Sequence, residues 1–185
     1  MREPHDKKTS GKVVATARYC AITALFVAIT IAAQLALSAV PGVELVTVLF
    51  VSFCFASGVK QGMLAATAFS LLRQIIFGVF LNVLVLYLVY YNLLALCFGL
   101  LGKAIKNPLK FLPVIVITAC LLTAVFTLID NILTPLWYGY GERATRAYFM
   151  ASLPFMALQV VCAAVSVSIL FLPLLRVFKS VFKDR

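Results

Sequence analysis

The chain has 185 residues, of which 64% are hydrophobic and 12% charged, with a formal net charge of +10. An average soluble domain is about half apolar and about a quarter charged, so this composition excludes a water-soluble globule. The basic excess is spread along the chain rather than gathered on a recognition surface, which argues against nucleic acid as a partner.

Apolar stretches recur from Val13 almost to Phe182. Crossing about 30 Å of hydrocarbon takes roughly 20 helical residues, and many of these stretches approach that length. Segments of about ten residues with strict polar–apolar alternation, the mark of a membrane β-barrel, do not occur. The expected fold class is therefore an all-α integral membrane protein, with six transmembrane helices in a compact bundle. Residues 1–12 form an N-terminal tail, 13–178 the membrane domain and 179–185 a basic C-terminal tail.

In chain order, the first predicted span runs from about Val13 to Ala39 and stops at the turn signal Pro41–Gly42. It carries Ala24, Ala28, Ala32 and Ala36 at every fourth position, with Ala17 and Ala21 a turn earlier. Small residues at this spacing allow close helix approach in lipid, either inside the bundle or against another membrane protein. The second span, about Val43 to Gly58, is short and opens with Glu44. The third follows Lys60-Gln61-Gly62, reaches about Phe80 and contains Arg73. The fourth opens at Asn82, carries Tyr87, Tyr90, Tyr91 and Asn92, and ends near Gly102. A polar loop with Lys103, Lys106, Asn107-Pro108 and Lys110 leads into a fifth span from about Phe111 to Ile132. A long connection, Thr134 to Arg146, is predicted next. It contains Pro135, Trp137, Tyr138 and two glycines, and is the natural lid. The sixth span runs from about Tyr148 to Leu175, followed by Arg176, Lys179, Lys183 and Arg185.

Basic residues orient such a chain. Thirteen of the sixteen Lys and Arg fall in the N-terminal segment to Arg18, at Lys60, in the Lys103–Lys110 loop and after Leu175. Six spans put all four regions on one side, so the positive-inside rule predicts both termini in the cytoplasm. The N-terminal segment has no small-residue cleavage site before a long apolar run and is expected to stay as a tail.

Catalysis finds little support. The one histidine, His5, lies in the N-terminal tail, and no Ser–His, Cys–His or metal-binding constellation falls within the spans. There is no Walker-type phosphate loop. The five cysteines, at 20, 54, 97, 120 and 162, sit in apolar surroundings without a Cys-x-x-Cys pair and read as packing residues. No enzyme activity, metal or cofactor is expected.

The ionisable residues within the spans, Glu44, Arg73 and Asp130, are costly enough in hydrocarbon to be candidate functional groups. All three fall in the outer half. Tyr148, Ser152, Phe155 and Gln159, spaced by four, three and four, share one face of the sixth helix. With Asn82, Tyr87, Tyr91 and Asn92 of the fourth helix they suit a pocket for a flat organic ligand. Interhelical hydrogen bonding is the competing reading of the same residues.

The six short helices, the alanine face and the stretch Val40-Pro41-Gly42-Val43-Glu44-Leu45-Val46-Thr47 resemble the substrate-binding S component of an energy-coupling factor (ECF) transporter. The turn is most similar to the cobalamin-related branch, in which Asn usually stands at the position of Gly42. Ser152-Leu153-Pro154-Phe155 and Leu172-Pro173-Leu174 are also similar to that branch. The resemblance implies a multi-pass protein of the prokaryotic cell membrane that captures a vitamin or related micronutrient from outside. It implies a transmembrane coupling protein and two cytosolic ATPase subunits as partners. The implied coupling face is Ala24 and Ala28, with Ala17 and Ala21 as second choice. The implied substrate contacts come from Glu44 and Thr47, the fourth helix, Trp137 in the 134–146 loop, and the outer half of the sixth helix. A corrinoid is the first expected substrate, followed by thiamin-, riboflavin-, pyridoxine-, biotin-, folate- or lipoate-like compounds. A small lipid-modifying membrane enzyme and a membrane assembly subunit are the alternatives.

Overall fold

The computed structural model describes the backbone of residues 4–39 and 45–183, and the side chains of residues 16–39 and 45–182. The Pro41–Gly42 turn and Glu44 lie outside the described residues. Among the described residues six helices follow one another: α1 (Pro4–Leu37), α2 (Val46–Ser57), α3 (Val59–Phe77), α4 (Leu81–Ala104), α5 (Leu112–Tyr138) and α6 (Glu142–Lys183). The helix is unbroken at residues 12 and 178, so the expected tails continue α1 and α6.

Among the described residues four segments are long and apolar enough to cross a membrane: Thr16–Leu37, Leu81–Ala104, Leu112–Tyr138 and Glu142–Phe182. The helices α2 and α3 are not, for different reasons. The 12 residues of α2 rise only about 18 Å. With 19 residues α3 is longer, but Lys60, Gln61, Arg73 and Gln74 lower its hydropathy.

Because α2 is apolar on every face, water and a lipid boundary offer it no orientation, and the centre of the bundle does. Nine of its twelve residues are buried. Phe26 of α1 stacks on Phe53 at 3.9 Å between ring centroids. Phe50 meets Phe69 of α3 at 5.2 Å and Tyr91 of α4 at 4.7 Å. Phe53 and Phe55 meet Phe178 and Phe171 of α6 at 5.5 and 5.3 Å. Edge-on and tilted ring pairs of this kind add about 0.5–1.5 kcal/mol each beyond their buried area.

Two glycines let α4 approach this hub. A Cβ on Gly99 would stand 2.6 Å from the Val59 nitrogen, and one on Gly102 would collide with the Phe55 carbonyl oxygen. A single residue, Gly58, joins α2 to α3, with φ +83° and ψ 176°, a conformation open essentially to glycine alone. Between α1 and α3, buried Gln61 donates to Thr23 Oγ1 over 3.2 Å.

Arg18 Nη2 donates to the Val181 carbonyl over 3.1 Å, which brings the start of the apolar stretch of α1 beside the end of α6. The α2–α3 junction lies at this same end, since Gln61 donates to the Tyr19 carbonyl over 3.5 Å, and the Gly99 and Gly102 contacts bring the C-terminal part of α4 beside it. The C-terminal part of α5 and the start of α6 lie at the other end, where the candidate residues gather.

Candidate functional site

On α5, Thr127, Asp130, Asn131 and Thr134 recur at three- and four-residue steps and form one polar stripe on an apolar helix. The face of α6 opposite carries Tyr148, Ser152, Phe155 and Gln159. Tyr148 donates its hydroxyl to Asp130 Oδ2 over 2.7 Å. Thr134 Oγ1 donates to Asp130 Oδ1 over 2.7 Å, and Asn131 Nδ2 to Ser152 Oγ over 2.8 Å. Deeper along the pair, Thr127 Oγ1 donates to Gln159 Oε1 over 3.4 Å.

The two stripes frame a cleft of about 300 Å³ lined by Phe126, Thr127, Asp130, Tyr148, Ala151, Ser152, Phe155 and Gln159. Asp130 is the one charged group of this lining. Three aromatic rings, three neutral hydrogen-bonding side chains and a carboxylate fixed at both oxygens make a surface suited to a ring-bearing ligand with a positive or hydrogen-bond-donating edge. Asn131 Oδ1 adds a buried acceptor with no protein donor.

A second cluster adjoins the first. Arg73 Cζ lies 4.2 Å from the centroid of Tyr87 and 4.9 Å from that of Phe77. Gln34 Nε2 donates to the Tyr87 hydroxyl over 3.1 Å. The Tyr87 ring meets the Phe126 ring at 5.7 Å, so one aromatic wall separates this cluster from the cleft. An arginine in hydrocarbon costs about 2.5–3.5 kcal/mol on insertion scales. A ring face returns about 0.5–2 kcal/mol.

A scan of protein-family models, a search of curated proteins and a search of solved structures each find no match.

Of the residues singled out in the sequence, Asp130, Tyr148, Ser152, Phe155 and Gln159 line the cleft together. Arg73 and Tyr87 form the adjoining cluster, and Asn82 accepts a hydrogen bond from Tyr138 over 3.4 Å. The other described ones lie apart from the cleft. Tyr91 packs in the buried aromatic core against Phe50, Phe69 and Tyr87. Asn92 ties α4 to Thr67 of α3 and caps its own Leu88 carbonyl over 2.8 Å. Thr47 is buried in α2, and Trp137 is half exposed on α5.

The expected 134–146 loop is replaced by helix. Thr134 and Pro135 are buried and α5 continues through them to Tyr138. The helix stops at Gly139, whose left-handed φ of +63° allows Tyr140 to donate back to the Pro135 carbonyl over 2.9 Å. Only residues 139–141 connect α5 to α6, so Trp137 is a helical surface residue rather than part of a lid.

Sequence reasoning passed over Phe126, Thr127 and Ala151 of the lining, Asn131 beside it, and Gln34 in the adjoining cluster. The three- and four-residue spacing of Thr127, Asp130, Asn131 and Thr134 was the available signal. On α1 the side chains of Ala17, Ala21, Ala24 and Ala28 are all exposed.

Proposed function

We propose that the chain is the membrane-embedded substrate-binding subunit of an ECF-type importer. It captures a vitamin-like micronutrient at the outer face for uptake driven by partner subunits. The observation that carries this reading is the α5–α6 cleft, with Asp130 and Tyr148 at its polar edge and Phe126 and Phe155 on its apolar walls. The cleft belongs to the end of the bundle opposite the Arg18–Val181 contact. With the termini cytoplasmic, as the positive-inside rule predicts, that end faces outward.

The exposed alanines at 17, 21, 24 and 28 support the rest of the assignment. They leave on α1 a smooth face for a transmembrane coupling protein, which would work with two cytosolic ATPase subunits. In this reading the protein is a multi-pass component of a prokaryotic cell membrane and catalyses no reaction itself. The short α2 counts among the six membrane segments because its neighbours shield it, and α3 because it buries Gln61 and Gln74 and leaves Leu71, Leu72, Ile75 and Ile76 on its outer surface. A cleft of about 300 Å³ is at the small end for ligand pockets, which suits a compact one- or two-ring vitamin better than a corrinoid.

Native mass spectrometry of the chain, purified in detergent from rich medium, tests the proposal. The expected result is a one-to-one adduct of vitamin mass that Asp130→Asn no longer retains. No adduct, together with no thermal shift across a panel of vitamins, would remove the transport reading.

A further inference from the structure

On the reading of the α5–α6 cleft as the capture site, we infer that the group received by Asp130 is a protonated nitrogen, so that the site takes organic cations and turns anions away. The hydroxyl protons of the cleft are already spent. Tyr148 and Thr134 each hold one, and both go to Asp130, over 2.7 Å to Oδ2 and to Oδ1. Ser152 gives its own to the Phe149 carbonyl over 2.8 Å, and Thr127 gives its own to Gln159 Oε1 over 3.4 Å. Tyr148, Ser152 and Thr127, the hydroxyls of the lining, therefore keep no proton for a ligand oxygen. Because Ser152 donates elsewhere, its oxygen can only accept from Asn131. That fixes the amide with Nδ2 toward Ser152 at 2.8 Å and leaves Oδ1 a buried acceptor without a donor.

Charge points the same way. The lining holds a carboxylate and neither Lys nor Arg, and among the described residues Asp130 forms no ion pair. Arg143 and Arg146 line a separate hollow with Glu142, to which Arg146 is paired at 2.6 Å. Two neutral hydroxyls orient the Asp130 carboxylate but leave its charge unanswered, at a depth where an uncompensated charge is costly. A protonated nitrogen answers it, and the rings of Phe126, Tyr148 and Phe155 attract the same cation. An anion would meet a like charge and no free hydroxyl donor. In a cleft of about 300 Å³ the cation is carried by one ring or little more.

A protonated nitrogen has two sources, a soluble ring compound or an ethanolamine headgroup. Thermal melting of the detergent-purified chain distinguishes them, titrated at equal ionic strength with benzamidinium, benzamide and benzoate, which share one ring and differ in charge, and with phosphatidylethanolamine against phosphatidylglycerol. Benzamidinium is expected to raise the midpoint where benzamide and benzoate do not; a rise with phosphatidylethanolamine alone assigns the nitrogen to a headgroup. Asp130→Asn should weaken the effective probe by about tenfold or more, the size of one lost charge-assisted contact. Should that variant fail to fold, Phe155→Leu takes its place at an exposed position of α6, with about threefold weakening expected from the lost ring. Benzamide or benzoate acting as strongly as the cation, no response to any probe, or an unchanged response in the variant overturns the cation site. A co-purified anionic vitamin would likewise overturn it and keep the importer reading. A benzamidinium response without any vitamin adduct or vitamin-induced shift does the reverse.

Discussion

Tyr148 on α6 and Asp130 on α5 are joined by a 2.7 Å hydrogen bond from phenol to carboxylate, while Thr134 holds the other carboxylate oxygen at the same distance. Two substitutions separate the structural and binding roles of this pair. Tyr148→Phe removes the donor and is expected to cost about 1.5 kcal/mol, the lower end for a hydrogen bond to a charged group because the site is only part-buried. Asp130→Asn keeps the shape, and one of the two hydroxyls can turn to accept from its amide, so it should destabilise by less than Tyr148→Phe while ligand affinity falls at least about tenfold. Equal loss of stability in both variants, with affinity intact, would make the pair a helix tie and nothing more.

Gly58 carries the whole reversal between α2 and α3 in one residue at φ +83°. Any side chain there is strained, although open space surrounds the position. Gly58→Ala is expected to destabilise by about 1–3 kcal/mol from backbone strain alone. Thermal denaturation of the two proteins side by side checks this; an unchanged midpoint would mean that the junction relaxes.

Gly102 acts by contact rather than by conformation. A methyl group there meets the Phe55 backbone, which a side-chain rotation cannot relieve, so α4 must move away from α2. Gly102→Ala should cost about 1–3 kcal/mol as an overpacking change. Because Gly99 lies one turn earlier against Val59, the double variant is expected to lose less than the sum of the single ones, since one displacement of α4 relieves both clashes.

Ala24 and Ala28 are both exposed on α1, so a larger side chain can extend away from the bundle. Replacing both with Trp should alter stability by no more than about 0.5 kcal/mol, as for other surface sites. The expected effect is on assembly. Pull-down of the coupling subunits should fail while ligand binding by the isolated chain persists. Retained assembly with the double variant would move the docking face elsewhere.

The helical class, the six helices and their approximate limits were legible in the sequence, because hydropathy and turn chemistry act locally. So was the shared face of Tyr148, Ser152, Phe155 and Gln159, since helical periodicity alone sets it. The C-terminal end of α5 was not: Pro135, Gly139 and Gly141 signal a loop locally, whereas burial of Thr134 and Pro135 keeps the helix intact as far as Tyr138.

Only the tertiary structure decided which faces meet. The sequence carries Asp130 and Asn131 as two polar residues and Tyr148 and Ser152 as two more; the packing of α5 on α6 makes them pairs. Tyr87 and Tyr91, one turn apart on α4, read alike, yet the first stands over Arg73 and the second disappears into the core around α2. The difference is physical. Whether a segment is helical is set by its own residues and their transfer out of water, whereas its neighbours are chosen by shape: by where Gly99 and Gly102 admit a close approach, and by where the predominantly apolar α2 finds a place away from both water and the surface.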